Sequence, residues 1–434
     1  MFRSGLLALG LAAVAMLCPS PVLGMERAEM DRLLTLARTS PNSPEFRAAL
    51  AKACPDADVK TGVAYNSNGP DFVWAVESAT APTIVLDDTP AVAMRRITGT
   101  NLWFYVTQLK VGTGHRFHYV VDGKEFGGSF DMPAYTPDSY AKPGVPQGKL
   151  SEMLVHTSKL YDGMKSNYWI YVPAQYNPAV PAALMVWQDG ERYNARNTEE
   201  ACRLCPSLYR LQEVTDNLIA QKKIPVMIHV FVSPGTAPNG RPLRSVLYDT
   251  VSEKYGQFIR EELLPEVYAK YNIRRDAYSR AIQGQSSGGI AAFTAAYFHP
   301  EDFSRVYSVV GSFTALQWHP GSLDGGNIWP FKVRREPQRN IRVWLTDGSE
   351  DMEAGSGSWP LQNIQLANSL KLKGYDFHFS FGNNTHYASL AVSELPEILT
   401  WLWRDYDPAK TEQKYEQSAE EKAKPVFRVR IYNR

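Results

Sequence analysis

The five residues Gly284-Gln285-Ser286-Ser287-Gly288 constrain this chain more than any other stretch. Upstream, Tyr278 to Gln283 reads as a short strand; downstream, Gly289-Ile290-Ala291-Ala292-Phe293-Thr294-Ala295-Ala296 reads as a helix whose small residues allow close packing on a sheet. The string G-x-S-x-G is weak by itself, because glycine is common enough for it to arise by chance. Its context is more telling. Strand, glycine-flanked serine and helix, in that order, fit a sharp turn that holds a serine at its tip in strained backbone. A side chain at either flanking glycine would collide with the adjoining strand or helix. Such a turn requires an α/β sheet to sit on. The alternative is an ordinary Ser-Gly turn with no chemistry attached.

A serine hydroxyl is a poor nucleophile at neutral pH unless a base takes its proton and an acid orients the base. With a serine on this kind of turn, the acid and then the histidine follow it along the chain. Ile341-Arg342-Val343-Trp344-Leu345 reads as a buried strand, running into the carboxylate-rich loop Thr346-Asp347-Gly348-Ser349-Glu350-Asp351. A helix (Pro360 to Lys373) and a strand (Asp376 to Phe381) then lead to Gly382-Asn383-Asn384-Thr385-His386. Of eight histidines, His386 is the one after the serine in a Gly/Asn loop past a late strand, and it is the candidate base. His115, His118, His229 and His378 fall within strands, His156 lies near a strand start, and His299 ends a helix; His319, beside Trp318, could face a cleft. Residue types alone leave the acid open among Asp347, Glu350, Asp351 and Glu353.

The tetrahedral intermediate of acyl transfer also needs two N–H donors for its oxyanion. The amide of Ser287, at the helix N-terminus, is one candidate. The other comes from the loop Gln188-Asp189-Gly190 after the apolar strand Ala183-Leu184-Met185-Val186-Trp187, with Gly190 or its neighbour Glu191 as donor. An Asp-Gly turn is the plain alternative there.

From about Lys149 to Tyr406 the chain resembles the enterochelin-esterase/feruloyl-esterase (esterase-D-like) branch of the α/β-hydrolases. The resemblance rests on Trp187-Gln188-Asp189-Gly190-Glu191, on the Ser-Ser-Gly-Gly run at the elbow, and on Asp347-Gly348-Ser349-Glu350-Asp351. Gly-x-x-x-His ending at His386, and Leu395-Pro396 leading to Trp401-Leu402-Trp403-Arg404, add to it. Members of that branch carry Gly-Thr-x-Asp in the acid loop. Gly348-Ser349-Glu350-Asp351 is similar with Ser in place of Thr, which implies Asp351 as the acid, with Glu350 and Asp347 behind it. Some members work with a Ser-His pair.

At 434 residues the chain has room for two domains. A net charge of +1 with both signs well mixed gives no reason to expect a nucleic-acid partner or an anionic membrane surface. The N-terminus has the form of a secretory signal over residues 1–24: Arg3, the apolar stretch Leu6 to Leu17, and Val22-Leu23-Gly24 before the cleavage point. That stretch is too short for a membrane span, so a soluble, exported protein is expected, without stable membrane insertion. Removal of the signal leaves Cys54, Cys202 and Cys205. A local or Cys54-linked disulfide with one free thiol is the plain reading, because Cys202-x-x-Cys205 lacks the partners of a zinc site.

The remainder divides as a helical segment (25–60), an all-β part (61–130), a Pro/Gly/Tyr/Ser-rich linker (131–148), the hydrolase domain (149–406) and a charged tail (407–434). In the helical segment Ser43-Pro44-Glu45 opens the second of two short helices. In the all-β part, Phe72-Val76, Thr83-Leu86, Leu102-Val106 and Arg116-Val121 alternate as strands, with Asp122-Gly123 as a hairpin turn. This part resembles the immunoglobulin-like modules that precede many enzymes of the branch. Trp74 and Trp103 are expected in the sandwich core or at a domain interface rather than as sugar platforms. The tail ends in Val426-Phe427-Arg428-Val429-Arg430-Ile431-Tyr432, an alternating run that could add an edge strand.

The expected fold is therefore an α/β-hydrolase doubly wound sheet preceded by a small immunoglobulin-like sandwich. The expected activity is ester hydrolysis by Ser286, His386 and Asp351, with Ser287 and Gly190 as oxyanion donors. Asp189, Arg244, Tyr248, Trp318 and Trp359 are expected to wall the cleft, with structural salt bridges and core aromatics as the alternative. No metal or other cofactor is called for, and the partner is a small-molecule or glycan ester. An acyltransferase with the same triad and a catalytically silent carbohydrate-binding protein are the alternatives.

Overall fold

The computed structural model describes residues 25–194, 206–321 and 325–425. The expected signal, Cys202, Cys205 and the Val426–Tyr432 run lie outside the described residues.

Three helices open the chain, Arg27–Thr39, Pro44–Ala53 and Asp56–Thr61, one more than expected. Ser43 caps the second, its hydroxyl accepting from Phe46 N at 3.1 Å. Two four-stranded antiparallel sheets follow. The first runs Tyr65–Asn68, Asp71–Glu77, Leu102–Gln108, Arg95–Arg96; the second runs Val92–Ala93, Thr83–Leu86, Thr113–Val121, Lys124–Ala134. The Asp71–Glu77 strand explains how they stack. Phe72, Trp74 and Val76 point between the sheets, against Ile84, Leu86, Phe117 and Tyr119, while Val73 and Ala75 face the opening helices. With both faces covered, the strand reads as a continuous apolar run instead of an alternating one. Trp74 is wholly buried in this core. Asp122 and Gly123 both take positive φ (49° and 74°), which the two-residue hairpin requires.

One expectation narrows and another changes. Cys54 is buried among the opening helices as a free thiol, its pKa pushed up to about 12 by burial, which disfavours the Cys54-linked disulfide. The Lys124–Ala134 strand also runs through the start of the expected linker, because it pairs with Thr113–Val121 to its end (Thr113↔Ala134).

The second half builds one large sheet. Its order is Leu154–Thr157, Lys165–Val172, Met227–Val232, Ala183–Gln188, Arg280–Gln285, Arg305–Val309, Arg342–Glu350, Asp376–Thr385, with Lys149–Leu150 paired to Lys165–Val172. Lys165–Val172 pairs antiparallel with its neighbours, and the six strands from Met227–Val232 to Asp376–Thr385 are mutually parallel. Alternate residues of Ala183–Gln188 feed two cores: Leu184 and Val186 on one face, Ala183, Met185 and Trp187 on the other. Helices thus cover both sides, as a parallel sheet demands. The strand order diverges on either side of Ala183–Gln188. In open α/β sheets, ligands bind beyond the carboxyl ends of the strands at such a point.

The sandwich is seated on the large sheet's last helix, Ser389–Leu402. A Cβ at Gly114 would lie 2.3 Å from Ser389 Oγ and 3.1 Å from Leu390 N, so the backbones touch there. No helix among the described residues is long and apolar enough to cross a membrane.

Candidate active site

The Arg280–Gln285 strand lies between two parallel neighbours and ends at Ser286, which begins the Ser287–Phe298 helix. Ser286 holds φ 60° and ψ −124°, a region L-residues rarely occupy, and its N–H donates to Val309 O at 2.8 Å. The glycines explain how the turn closes. A Cβ on Gly284 would lie 1.9 Å from Gly288 O, and one on Gly289 2.7 Å from Ser308 Oγ.

His386 Nε2 is 2.8 Å from Ser286 Oγ, and His386 Nδ1 is 2.6 Å from Asp351 Oδ1. The two strands that carry this acid and base run further than expected. Arg342–Glu350 and Asp376–Thr385 stay paired through Asp347↔Phe381, Gly348↔Gly382 and, past a bulge, Glu350↔Thr385. Segments read as loops are strand because each supplies the other's backbone partners. That pairing delivers Asp351 and His386 side by side, one residue beyond their strands. Glu350 and Glu353 are exposed.

The Asp351 carboxyl is buried, and Oδ1 also accepts from Met352 N at 2.6 Å. Asp347 is its buried neighbour. Burial first, and the adjoining Asp351 second, push the Asp347 carboxyl well above the ordinary range. Charge on one of two adjoining buried carboxyls disfavours charge on the other. Asp347 Oδ1 accepts from Gly348 N at 2.7 Å.

As first residues of a helix and of a 3₁₀ turn, Ser287 and Gly190 have N–H groups with no acceptor inside their own element. Gly190 must be glycine, since a Cβ would lie 2.6 Å from Phe231 C in the next strand. A Cβ on Gly288 would lie 3.3 Å from Asp189 Oδ2, which places the Asp189–Gly190 loop against the elbow.

The expected cleft residues separate into two groups. Trp318 is 50% exposed and stands at the surface. Arg244, half-buried, grips Asp189 with both arms of its guanidinium, Nε to Oδ1 at 2.7 Å and Nη2 to Oδ2 at 2.8 Å. Asp189 is therefore committed to shaping its own loop. Tyr248 is wholly buried and its hydroxyl accepts from Asp189 N at 3.3 Å, so it braces the loop rather than walling a cleft. Trp359 is likewise 2% exposed, its ring edge-on to His386 with centroids 5.9 Å apart. It packs behind the base.

Other histidines have structural surroundings. His229 is fully buried and its pKa falls to about 3; Trp187 Nε1 donates to its Nδ1 at 2.8 Å, fixing a neutral ring. His319 is exposed and within reach of Pro320 O at 3.2 Å. His299, Glu301 and Asp302 cluster closely enough to suggest a metal site, but the Arg260 guanidinium lies against all three at 3.2, 3.4 and 3.3 Å and already supplies the cation.

Several groups that hold this arrangement carry no recognisable signal along the chain. Gln285 Nε2 donates to His386 O at 3.0 Å while its Oε1 accepts from Tyr209 OH at 2.9 Å. Asp131, from the sandwich, brackets the base: its carboxylate accepts from Thr385 Oγ1 on one side and from Ser389 N at 3.2 Å on the other. Gln285 occupies a variable position of the G-x-S-x-G string and Asp131 belongs to no motif, so the signal of both is spatial alone.

The chain matches the family model Esterase, described as "Putative esterase", over residues 162–400, more than half its length. It belongs to that family. The esterase is accordingly a carboxylic ester hydrolase. A search of curated proteins returned no match. Among solved structures, an enterobactin esterase from Shigella flexneri aligns at 17% identity and TM-score 0.52, covering 84% of this chain and 99% of that one. A ferric enterobactin esterase from Salmonella typhimurium aligns at 18% identity and TM-score 0.50, covering 80% and 97%. At this identity the likeness speaks for the fold: a mostly parallel sheet of α/β-hydrolase type.

Proposed function

We infer that the protein is an exported serine esterase working through an acyl-enzyme. The observation that carries this reading is His386 standing between Ser286 Oγ at 2.8 Å and Asp351 Oδ1 at 2.6 Å. Ser286 Oγ adds to the ester carbonyl carbon, its proton passes to His386 Nε2, and the carbonyl electron pair moves to oxygen. The amides of Ser287 and Gly190 stabilise that oxyanion. Collapse expels the alcohol, which takes the proton from Nε2, and a water molecule repeats the sequence to release the acid. Asp351 holds the imidazole tautomer and balances the imidazolium. Export rests on the signal-like residues 1–24. The names of the structural neighbours, together with the sequence resemblance, point to esters of siderophores, hydroxycinnamates or sugars.

A panel of acetyl, feruloyl and catecholate esters tests the reading, with products analysed in water and in competing alcohols. Free acid as the main product is expected. Preferential formation of a new ester would make the protein an acyltransferase, and no turnover of any ester would refute the reading.

The sandwich belongs to the working enzyme on this reading, because it touches the Ser389–Leu402 helix and its Asp131 brackets His386. Deleting residues 63–128 is expected to expose apolar surface and abolish turnover of small esters along with larger ones. Size-exclusion chromatography and a p-nitrophenyl acetate assay check this. A soluble truncated enzyme that keeps small-ester activity would mark the sandwich as an independent module.

A further inference from the structure

Ser312 lies in the segment after the Arg305–Val309 strand and is wholly buried beneath the nucleophile. Its N–H donates to Ser286 O at 3.0 Å, and its Oγ stands 3.3 Å from Ser286 Oγ. Trp359 Nε1 reaches the same Ser312 Oγ at 3.0 Å. Distances leave the direction of the Ser312–Ser286 bond open, but chemistry does not. An indole N–H can only donate, so Ser312 Oγ must accept from Trp359. The Ser312 proton then needs an acceptor, and among the described residues the side-chain oxygen in reach is Ser286 Oγ. The Ser286 proton is directed at His386 Nε2. All three bonds run one way: Trp359 to Ser312, Ser312 to Ser286, Ser286 to His386.

We propose that Ser312 is a further catalytic residue, its hydroxyl donating to the nucleophilic oxygen throughout the reaction, with Trp359 as the positioning residue that holds that hydroxyl in place. The proposal rests on Ser286 being the nucleophile. Around Ser286 Oγ, tetrahedral directions are then taken by Cβ, by the proton aimed at His386 and by the lone pair that accepts from Ser312. The fourth, a lone pair, is left for the carbonyl carbon. During acylation the Oγ–C bond forms, the carbonyl electron pair moves to oxygen and the Oγ proton goes to Nε2. During deacylation the Oγ–C bond breaks and Oγ recovers a proton from Nε2. In the second step Oγ departs bearing negative charge, where a preplaced donor in a buried site counts most. The indole bond anchors the Ser312 hydroxyl beside Ser286, and without it Ser312 Oγ is free to turn to another rotamer.

The experiment measures kcat and the rate at which a fluorophosphonate labels Ser286 in four proteins: wild type, Ser312→Ala, Trp359→Phe and the double variant. Ser312→Ala is expected to slow both by about tenfold or more, as loss of one aligned donor does. Trp359→Phe keeps an aromatic ring beside His386 and is expected to cost several-fold in the wild-type background, yet nothing further in the Ser312→Ala background. Ser312→Cys, with its weak donor, should fall between serine and alanine, and circular dichroism should show all variants folded. Labelling of Ser312→Ala at the wild-type rate, or an equal Trp359→Phe penalty in both backgrounds, would overturn the proposal while leaving Ser286 as nucleophile. A wild-type enzyme in which Ser286 takes no label would overturn the nucleophile and this proposal with it.

Discussion

Ser286→Ala is expected to reduce turnover of a short-chain p-nitrophenyl ester by roughly 10⁴- to 10⁶-fold, the scale on which removing a triad nucleophile acts. The fold should survive. The strain at φ 60° is a backbone property that alanine shares with serine, and the Ser286 N–H to Val309 O bond and the packing of Gly284 on Gly288 do not involve the hydroxyl. Thermal unfolding should therefore shift little while kcat collapses. Substrate affinity, measured by equilibrium binding to the inert variant, should remain. A fluorophosphonate should label Ser286 in the wild-type enzyme, and mass spectrometry of the labelled peptide decides between Ser286 and its neighbour. Label on Ser287, or a fully active alanine variant, would displace Ser286 from the centre of the mechanism.

The elbow was legible because its causes are local. Gly284 is required by contact with Gly288 four residues on, and a helix of small residues announces close packing. The acid was not legible in the same way. Asp347, Glu350, Asp351 and Glu353 are equivalent as a string, and resemblance alone favoured Asp351. What separates them is the parallel pairing that extends to Glu350↔Thr385, a long-range fact with no periodic signature of its own. Residues read as loop became strand for the same reason: a backbone is satisfied by whatever neighbour the tertiary fold supplies. Tyr248, in a polar segment, and Trp359, in a loop after a strand, were expected at a cleft wall because such loops line the cleft of a sheet of this kind. Both are buried, one bracing Asp189 and the other set against His386. Asp131 was assigned to a linker by its Pro/Gly-rich surroundings, yet it ends up beside the base through a strand whose partner lies in the sandwich.

Asp351→Asn is the second large effect to expect, about 10⁴-fold in kcat with little change in substrate binding. Asparagine can keep the geometry, since its carbonyl can accept from His386 Nδ1 and Met352 N as Oδ1 does now. What it removes is the negative charge that balances the imidazolium while the proton sits on Nε2. Asp347 sharpens the test. Because burial and the neighbouring Asp351 both favour the neutral form of this carboxyl, a neutral asparagine amide can stand in its place. Asp347→Asn is therefore expected to stay within a few-fold of wild type. Once Asp351 is neutral, however, Asp347 is released from its like-charged neighbour and becomes easier to ionise, giving the Asp351→Asn variant a residual route to a carboxylate near the base. The Asp347→Asn/Asp351→Asn double variant closes that route and should be slower than Asp351→Asn alone, most visibly at high pH, where the freed carboxyl would otherwise ionise. Measuring kcat against pH in the three variants reads this out. A larger loss from Asp347→Asn than from Asp351→Asn would mean that the wrong carboxylate has been assigned to the triad, and mild losses in all three would describe an enzyme that works with serine and histidine alone.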